Sequence, residues 1–229
     1  MSELLYKTLR ESVVNAIRAK IMSHQIRPGE RIVELELAQE FHTSRGPIRE
    51  ALRQLEIEGL VEYTRNVGCS VRNFSLMDSY EVYLLRTNYE TVSIRLLNGK
   101  VPEETIQKME IILEEMKNIP AEEFDRVFEY DNQFHEQLVL MSRLPRLEKA
   151  WKELYYSNLL AGYNLVTDKE EILKRQYENH RLILEACKEG DCEKICREVK
   201  KHYWRTIFFM LQDQKIEDTE LKHTWMMAI

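Results

Sequence analysis

Residues 42–60, which read HTSRGPIREALRQLEIEGL, decide the fold. Thr43 or Ser44 can cap a helix, because a side-chain oxygen accepts hydrogen bonds from the first free backbone amides. Pro47 is tolerated only in a first helical turn, and Gly59 is well placed to end the helix. The stretch therefore predicts one helix that begins beside Ser44 and ends before Gly59.

This helix has one cationic face and one apolar face. Arg45, Arg49 and Arg53 recur every four residues, so they share a face. The opposite face carries Ile48, Ala51, Leu52 and Leu55. A guanidinium presents a planar fork of donors that matches a guanine edge or a phosphate. Arginines at this spacing also occur on helices that are merely solvated, so the neighbouring elements must decide between the two interpretations.

The neighbouring elements favour a DNA-binding unit over residues 1–74. Apolar residues recur every four positions in a first helix that ends before RPGE, at Leu5, Leu9, Val13, Ile17 and Ile21. A short helix follows at about 33–41, with Leu37, Ala38 and Phe41 facing inward. After Gly59, two β-compatible pieces flank a turn at residues 65–68. This order is typical of a winged helix-turn-helix, in which Arg65 and Gly68 let the hairpin tip approach DNA.

Only helical patterns are legible after Ser75, so we expect residues 75–229 to form an all-helical bundle. Prolines and the EGD segment at 189–191 separate the predicted helices. They span about 76–98, 102–117, 121–142, 146–163, 169–188 and 191–213. The predicted fold class is therefore mostly α, with a small β-hairpin wing in the first unit.

Composition restricts the class of protein. The chain has 229 residues, 44% of them apolar, and a formal charge of −6, enough for two units with real cores. Residues 1–74 hold 11 Lys and Arg against 10 Asp and Glu, so the first unit is the less acidic one. No apolar run could cross a bilayer, and no secretory signal is visible, so we expect a cytoplasmic protein. The four cysteines follow no metal-binding spacing and are interpreted as free and structural.

Three histidines of the second part lie on three different predicted helices. Asp131 and His135, in the segment DNQFH, are one helical turn apart and can present an oxygen and a nitrogen to one point. His180 and His202 come from two other helices. Convergence of all four would give a site with three nitrogens and one oxygen, which suits zinc, nickel, manganese or iron. The alternative is that each imidazole is a buried side chain with ordinary hydrogen bonds.

Two stretches resemble known families. Residues 26–71 resemble the N-terminal domain of GntR-type bacterial transcription regulators, with the motifs SRGPIREAL and LEIEGL. Ile32 stands where that family commonly has Leu. The resemblance implies that Arg45 and Arg49 contact DNA, that Ser44 touches the DNA backbone, and that Gly68 forms the wing tip.

The second resemblance covers the bundle. DNQFH, then ENH followed by LILEA, then GD and a final histidine, is similar to the FCD effector domain of the FadR subfamily. It implies that Asp131, His135, His180 and His202 bind one divalent transition metal per subunit. It also implies that Arg86 clamps the carboxylate of a small organic acid effector; the alternative is an exposed arginine paired with Glu90.

Together these features predict a regulator that binds a palindromic DNA operator as a homodimer, most simply as a repressor, and responds to a small organic acid at the metal site. Two other functions stay open. The metal itself could be the signal, which would make the protein a metal sensor. Alternatively, histidines and a carboxylate with open coordination positions could serve a metal-dependent enzyme that carries a DNA-binding domain.

Overall fold

A computed structural model describes residues 9–124, 126–163 and 169–214 of the chain. The chain divides into two compact units between Phe74 and Ser75. The mostly α fold class is confirmed: helices dominate both units, and a small antiparallel sheet follows the helix-turn-helix segment.

Within residues 9–74, the first unit contains three helices and three short strands. In chain order they are α1 (Leu9–Met22), β1 (Arg31–Ile32), α2 (Glu34–Glu40), α3 (Arg45–Ile57), β2 (Val61–Thr64) and β3 (Gly68–Val71). Strand β3 is the middle strand and pairs antiparallel with both β1 and β2. Strand β1 was missed by the sequence analysis because two residues are too few for an alternating pattern.

Helix α1 packs against α3 and supplies much of the core of this unit. Val13, Ile17 and Ile21 are buried as the four-residue spacing predicted, whereas Leu9 is 58% exposed. Leu5 lies outside the described residues. Arg18 of α1 is almost fully buried and forms an ion pair of 2.8 Å with Glu58, at the end of α3. The two helices are thus joined by both apolar packing and a charged contact.

The ends of α3 lie where the sequence signals placed them. Ser44 is the N-cap residue with an extended backbone, although its side chain accepts no capping hydrogen bond. At the other end, the amide of Gly59 donates to the carbonyl of Glu56, and the amide of Leu60 donates to the carbonyl of Leu55. This pair of bonds is a Schellman motif, and it needs the left-handed backbone that Gly59 adopts at φ +75°.

The second unit is a bundle of seven α-helices within the described ranges. They are α4 (Leu76–Leu96), α5 (Glu103–Lys117), α6 (Arg126–Leu140), α7 (Pro145–Glu153), α8 (Tyr155–Tyr163), α9 (Lys169–Glu189) and α10 (Cys192–Gln214). Helix α4 packs against α10, and α5 packs against both α6 and α9. Ser75 and Asp78 form a reciprocal capping box at the start of α4, which satisfies two otherwise free amides.

Two predicted helices of the bundle are shorter in the structure. The helix expected at 146–163 is two helices, because α7 ends at Glu153 with Leu154 as its C-cap residue, and α8 starts at Tyr155. No glycine or proline marks this break, so no local pattern predicts it. The helix expected at 121–142 begins with a 3-10 turn, Ala121–Glu123, and becomes α-helical only at Arg126.

The turn after α4 touches the turn between α9 and α10. Gly99 has φ +74°, and a Cβ atom placed on it would lie 2.6 Å from the backbone nitrogen of Cys192 and 2.8 Å from the carbonyl oxygen of Gly190. Both contacts are with backbone atoms, which cannot rotate away. Gly190 also has positive φ, but a Cβ atom there meets only the Gly99 carbonyl oxygen at 3.8 Å.

This contrast gives a stability prediction. Gly99→Ala should lower the free energy of unfolding by about 2–5 kcal/mol, because a left-handed backbone and a steric overlap are both imposed on alanine. Gly190→Ala, the matched control, should cost only the backbone part, about 1–2 kcal/mol. Denaturant-induced unfolding, followed by the helical circular dichroism signal, measures both values. Equal losses in the two variants would contradict the close contact at Gly99.

Candidate functional site

The arginine face of α3 is exposed to solvent. Ile48, Ala51, Leu52 and Leu55 are fully buried, whereas Arg45, Arg49 and Arg53 are exposed. The helix therefore turns its cationic side outward, as the sequence pattern predicted. The inner nitrogen of the Arg49 guanidinium is already bound, because Nε donates to Glu34 Oε2 of α2 at 2.7 Å. The terminal nitrogens of the guanidinium, which form the end of its fork, are not part of that bond.

The wing hairpin carries the other predicted DNA-facing residues. Arg65 is exposed in the turn between β2 and β3. Gly68 is the first residue of β3, and its φ of +106° is a conformation that other residues rarely adopt. The side chain of Arg31 from β1 lies beside Gly68, so a second cation neighbours the base of the turn. No motif or helical pattern in the sequence had marked Arg31 as a DNA-facing residue.

The four predicted metal ligands meet inside the bundle. Asp131 and His135 lie on α6, His180 on α9 and His202 on α10, and all four side chains are buried. Their ligand atoms lie within 4.8 Å of one another. The Nε2 atoms of His180, His202 and His135 are 3.2, 3.5 and 3.9 Å from Asp131 Oδ1. Two atoms bound to one transition metal are about 3.0–3.5 Å apart at ordinary bond lengths and angles.

Hydrogen bonds to the far side of two imidazoles select their tautomers. His180 Nδ1 is 2.7 Å from the carbonyl oxygen of Gln176, and this oxygen can only accept. His135 Nδ1 is 2.7 Å from Glu90 Oε2, and this side-chain oxygen accepts the hydrogen bond as the carbonyl oxygen does. In a ring that carries one proton, that proton therefore sits on Nδ1, and the lone pair on Nε2 is directed toward the cluster. Such outer partners orient metal-binding histidines in general.

The cluster has buried atoms without hydrogen-bond partners. His135 Nε2, His180 Nε2 and His202 Nδ1 are buried and make no hydrogen bond. The unpaired atom of His202 is Nδ1, whereas its Nε2 is the nitrogen near Asp131. Buried polar atoms are almost always satisfied in folded proteins, so the unpaired Nε2 atoms of His135 and His180 beside Asp131 Oδ1 indicate a missing positive partner. A metal ion fits this description, because it would accept the Nε2 lone pairs and neutralise the carboxylate at once.

The electrostatics of the site agree with ligation. Burial lowers the pKa of His202 to about 3, and the neighbouring His180 acts in the same direction, so the imidazole is neutral at pH 7. Burial alone would raise the pKa of the Asp131 carboxyl, but the close approach of His180, His202 and His135 outweighs it and holds that pKa well below its usual value. Neutral imidazoles and an ionised carboxylate are the forms that bind metal.

The space beside the cluster is small. A cavity of about 10 Å³ is lined by residues of α4, α6, α8, α9 and α10, and this is room for about one water molecule. The lining residues are Tyr83, Phe128, Asp131, Asn158, Gln176, His202, Tyr203 and Thr206. An organic acid therefore requires some of these side chains to move, whereas an ion does not.

Arg86 lies inside the bundle and is not exposed. It is fully buried, so the alternative of a solvated surface arginine is wrong. Its guanidinium is 4.4 Å from the ring centre of Trp151, donates from Nε to the hydroxyl of Tyr203 at 2.8 Å, and donates from Nη1 to Asn132. Nη2 is 3.5 Å from Asp131 Oδ2 but makes no hydrogen bond. One donor of Arg86 is thus free beside the ligand carboxylate.

Several residues around the ligands were not identified from the sequence. Glu90 accepts hydrogen bonds from Trp151, Tyr203 and His135, and it is fully buried. Asn158 donates to Asp131 Oδ2 at 2.9 Å and to Asn132 at 3.1 Å. Tyr203 stands in an aromatic run, YWRTIFFM, a pattern that is typical of an apolar core.

The cysteines do not take part in this cluster. All four are free, and Cys69 lies in the first unit. Burial raises the pKa of the Cys187 thiol to about 12, so it is protonated and a poor metal ligand at pH 7. This agrees with the interpretation of the cysteines as structural residues.

Among the described residues, no helix is both long and apolar enough to cross a membrane.

Comparison with known families assigns both units. Residues 9–71 match the family described as bacterial regulatory proteins, gntR family, and residues 81–204 match the FCD domain. A relative is the uncharacterized HTH-type transcriptional regulator YdhC of Bacillus subtilis, 30% identical over 194 residues, which cover 82% of this chain and 85% of that protein. The gluconate operon transcriptional repressor of the same organism is 29% identical over 184 residues, covering 78% and 75%.

Solved structures share the fold. Escherichia coli McbR/YncC superposes with a TM-score of 0.73 over 91% of this chain and 99% of the other, at 19% identity. Lar of Listeria monocytogenes gives a TM-score of 0.63 over 93% and 99%, at 21% identity. The named relatives are regulators and not enzymes, so the possibility of a metal-dependent enzyme is set aside. The chain belongs to the GntR family of bacterial transcription regulators and carries an FCD effector domain.

Proposed function

We propose that the protein is a cytoplasmic repressor that binds a palindromic operator as a homodimer and senses a small organic acid at a metal centre in its FCD domain. The observation that carries this proposal is the convergence of Asp131, His135, His180 and His202, whose ligand atoms lie within 4.8 Å of one another in a buried site. These four residues would hold one divalent ion, and zinc, nickel, manganese and iron all accept such a donor set.

The exposed arginine face supports the DNA-binding half of the proposal. Arg45, Arg49 and Arg53 project from the side of α3 that faces away from the core. We assign Arg45 and Arg49 to base or phosphate contacts, with Ser44 at the helix start near the DNA backbone. Arg53, Arg65 and Gly68 complete the proposed surface through phosphate contacts and a close approach of the wing. One such helix reads few base pairs, so two copies related by a twofold axis would read a palindrome.

The charge balance of the bundle interior supports an acidic effector. Among the described bundle residues, the buried side chains of formally charged type are Arg86, Glu90 and Asp131, whose formal charges sum to −1. A divalent ion raises this sum to +1, and one carboxylate would neutralise it. When bound, the metal would supply a Lewis acid that accepts a carboxylate oxygen. Arg86 Nη2, which lacks a hydrogen-bond partner beside Asp131, would receive the second oxygen.

A metal sensor is the second candidate, and one observation favours it. The cavity beside the ligands has a volume of only about 10 Å³, which admits an ion more readily than an organic acid. In either case the ligand can alter DNA binding only by binding the DNA-competent and DNA-incompetent states with different affinity.

The metal site gives the first prediction of this proposal. His180→Ala should weaken divalent metal binding by more than about 100-fold, because even partners outside the ligand shell contribute 10- to 100-fold. Metal content after dialysis against limiting chelator, measured by mass spectrometry, should fall from one ion per chain to near zero. His24→Asn is the control, since His24 lies in the first unit at positive φ, which Asn tolerates. Full metal content in His180→Ala would remove this residue from the site.

The reading helix gives the second prediction. Duplexes selected by the wild-type protein from a random DNA pool provide an operator probe. Arg49→Ala should weaken binding to the selected duplex by about 1–3 kcal/mol in an electrophoretic or fluorescence assay. Arg181→Ala is the control, since Arg181 is exposed in the bundle and pairs with Glu178. Unchanged DNA binding by Arg49→Ala, with the metal content intact, would contradict the placement of α3 against DNA.

The nature of the signal gives the third prediction. Operator binding by metal-loaded protein should weaken when small carboxylic acids are added from a screened set, and the same acids should have no effect on metal-free protein. The metal-dependent acid response follows from the proposed bridge between the ion and Arg86. A response to metal with no further response to any acid would favour the metal sensor.

A further inference from the structure

Glu90 lies at the centre of the buried contacts although it is not one of the four ligands. It is fully buried on α4. Its Oε2 accepts from His135 Nδ1 at 2.7 Å, and its Oε1 accepts from Tyr203 at 2.7 Å and from Trp151 Nε1 at 3.0 Å. A single buried carboxylate therefore receives donors from α6, α7 and α10.

One oxygen of Glu90 acts on the metal ligands. Because Oε2 accepts a hydrogen bond from Nδ1–H of His135, the ring cannot rotate by half a turn without losing this bond. The lone pair of Nε2 is thereby kept on the side of Asp131, 3.9 Å from Oδ1. A carboxylate behind a metal-binding histidine fixes the ring and raises its basicity.

The other oxygen of Glu90 is connected to Arg86 through the hydroxyl of Tyr203. The Tyr203 hydroxyl donates to Glu90 Oε1 and accepts from Arg86 Nε at 2.8 Å. Asn132 occupies Nη1 of the same guanidinium. Two of the three nitrogens are therefore held, and the plane of the guanidinium is fixed with Nη2 free, 3.5 Å from Asp131 Oδ2.

We infer that Glu90 is the positioning residue of the effector domain: it orients His135 for the metal and, through Tyr203, orients Arg86 for the carboxylate of the effector. This inference rests on the proposed metal and effector site and assigns the residues that connect its two halves. A chain of contacts runs from the metal ligand His135 through Glu90 and Tyr203 to the free donor of Arg86. The affinities for metal and for anion are linked through this chain, and such a link is reciprocal.

The test uses Co²⁺ as the metal probe and acetate as the anion probe on the full-length protein. Co²⁺ affinity is measured by competition with a chelator, and acetate binding by the change in the visible spectrum of the Co²⁺-loaded protein. In Glu90→Gln one end of the side chain becomes a donor, so it cannot accept from all three partners. This variant should lose about 10- to 100-fold in Co²⁺ affinity, and it should also bind acetate more weakly.

Two further variants separate positioning from a merely structural role. Tyr203→Phe removes the hydroxyl between Arg86 and Glu90 but leaves the bond between Glu90 and His135. It should retain Co²⁺ affinity within about 3-fold and weaken acetate binding by about 10-fold, in line with the loss of one charge-assisted contact. Thr91→Val is the matched control: Thr91 is buried on α4, and its hydroxyl donates only to backbone carbonyls. It should change neither affinity.

Several results would overturn the inference. If Glu90→Gln bound Co²⁺ as tightly as the wild type does, Glu90 would not be the residue that orients His135 for the metal. Equal losses of Co²⁺ affinity in Glu90→Gln, Tyr203→Phe and Thr91→Val would indicate general damage to the core. No effect of acetate on the wild-type spectrum would remove the role toward Arg86. Failure of the wild type to bind Co²⁺ would refute the proposed metal site itself, which is a different outcome from a variant that behaves like the wild type.

Discussion

Three imidazole nitrogens that face one buried carboxylate are the constraint on which the bundle depends. Polar groups lose their hydration when they enter a core, and they must find partners there. In this bundle the outer nitrogens of His135 and His180 have partners, Glu90 and a backbone carbonyl, whereas their inner nitrogens have none. A cation at the centre would give these inner nitrogens the partner that they lack. Binding of that cation would also stabilise the fold, because the unfolded chain offers no comparable site.

Each buried charge beside the site lies close to a side chain of opposite charge. Arg86 is surrounded by Glu90, Asp131, the hydroxyl of Tyr203 and the ring of Trp151. Removing one member of such a group leaves the others buried without a counter-charge, which is costly. Tyr203 and Asn132, which are not among the four ligand residues, belong to this group because each accepts a hydrogen bond from Arg86.

The candidate functional residues are exposed to solvent in the first unit and buried in the second. On α3 the arginines remain hydrated and exposed, where their charges can meet phosphates and base edges at little desolvation cost. In the bundle the functional groups are dry, so that each contact is strong but depends on its partners. A regulator needs both properties, because DNA binding must be reversible and salt-sensitive while effector recognition must discriminate between small molecules.

The sequence by itself determined the fold class, the exposed arginine face of α3 and the four residues that meet in the bundle. The first two features follow from local rules: helical spacing fixes which side chains share a face, and caps and glycines fix where helices end. Motif resemblance joined the three histidine segments, which periodicity alone could not do.

Only the tertiary structure decided the surroundings of the ligands. Glu90 and Trp151 are 61 residues apart, and Tyr203 is 113 residues from Glu90, so no local pattern connects them. The break at Leu154 between α7 and α8, the burial of Arg86 and the contact of Gly99 with the turn before α10 also depend on packing. The physical reason is common to all of these cases: local propensities describe one helix at a time, whereas burial and hydrogen-bond partners are set by the helices packed against it.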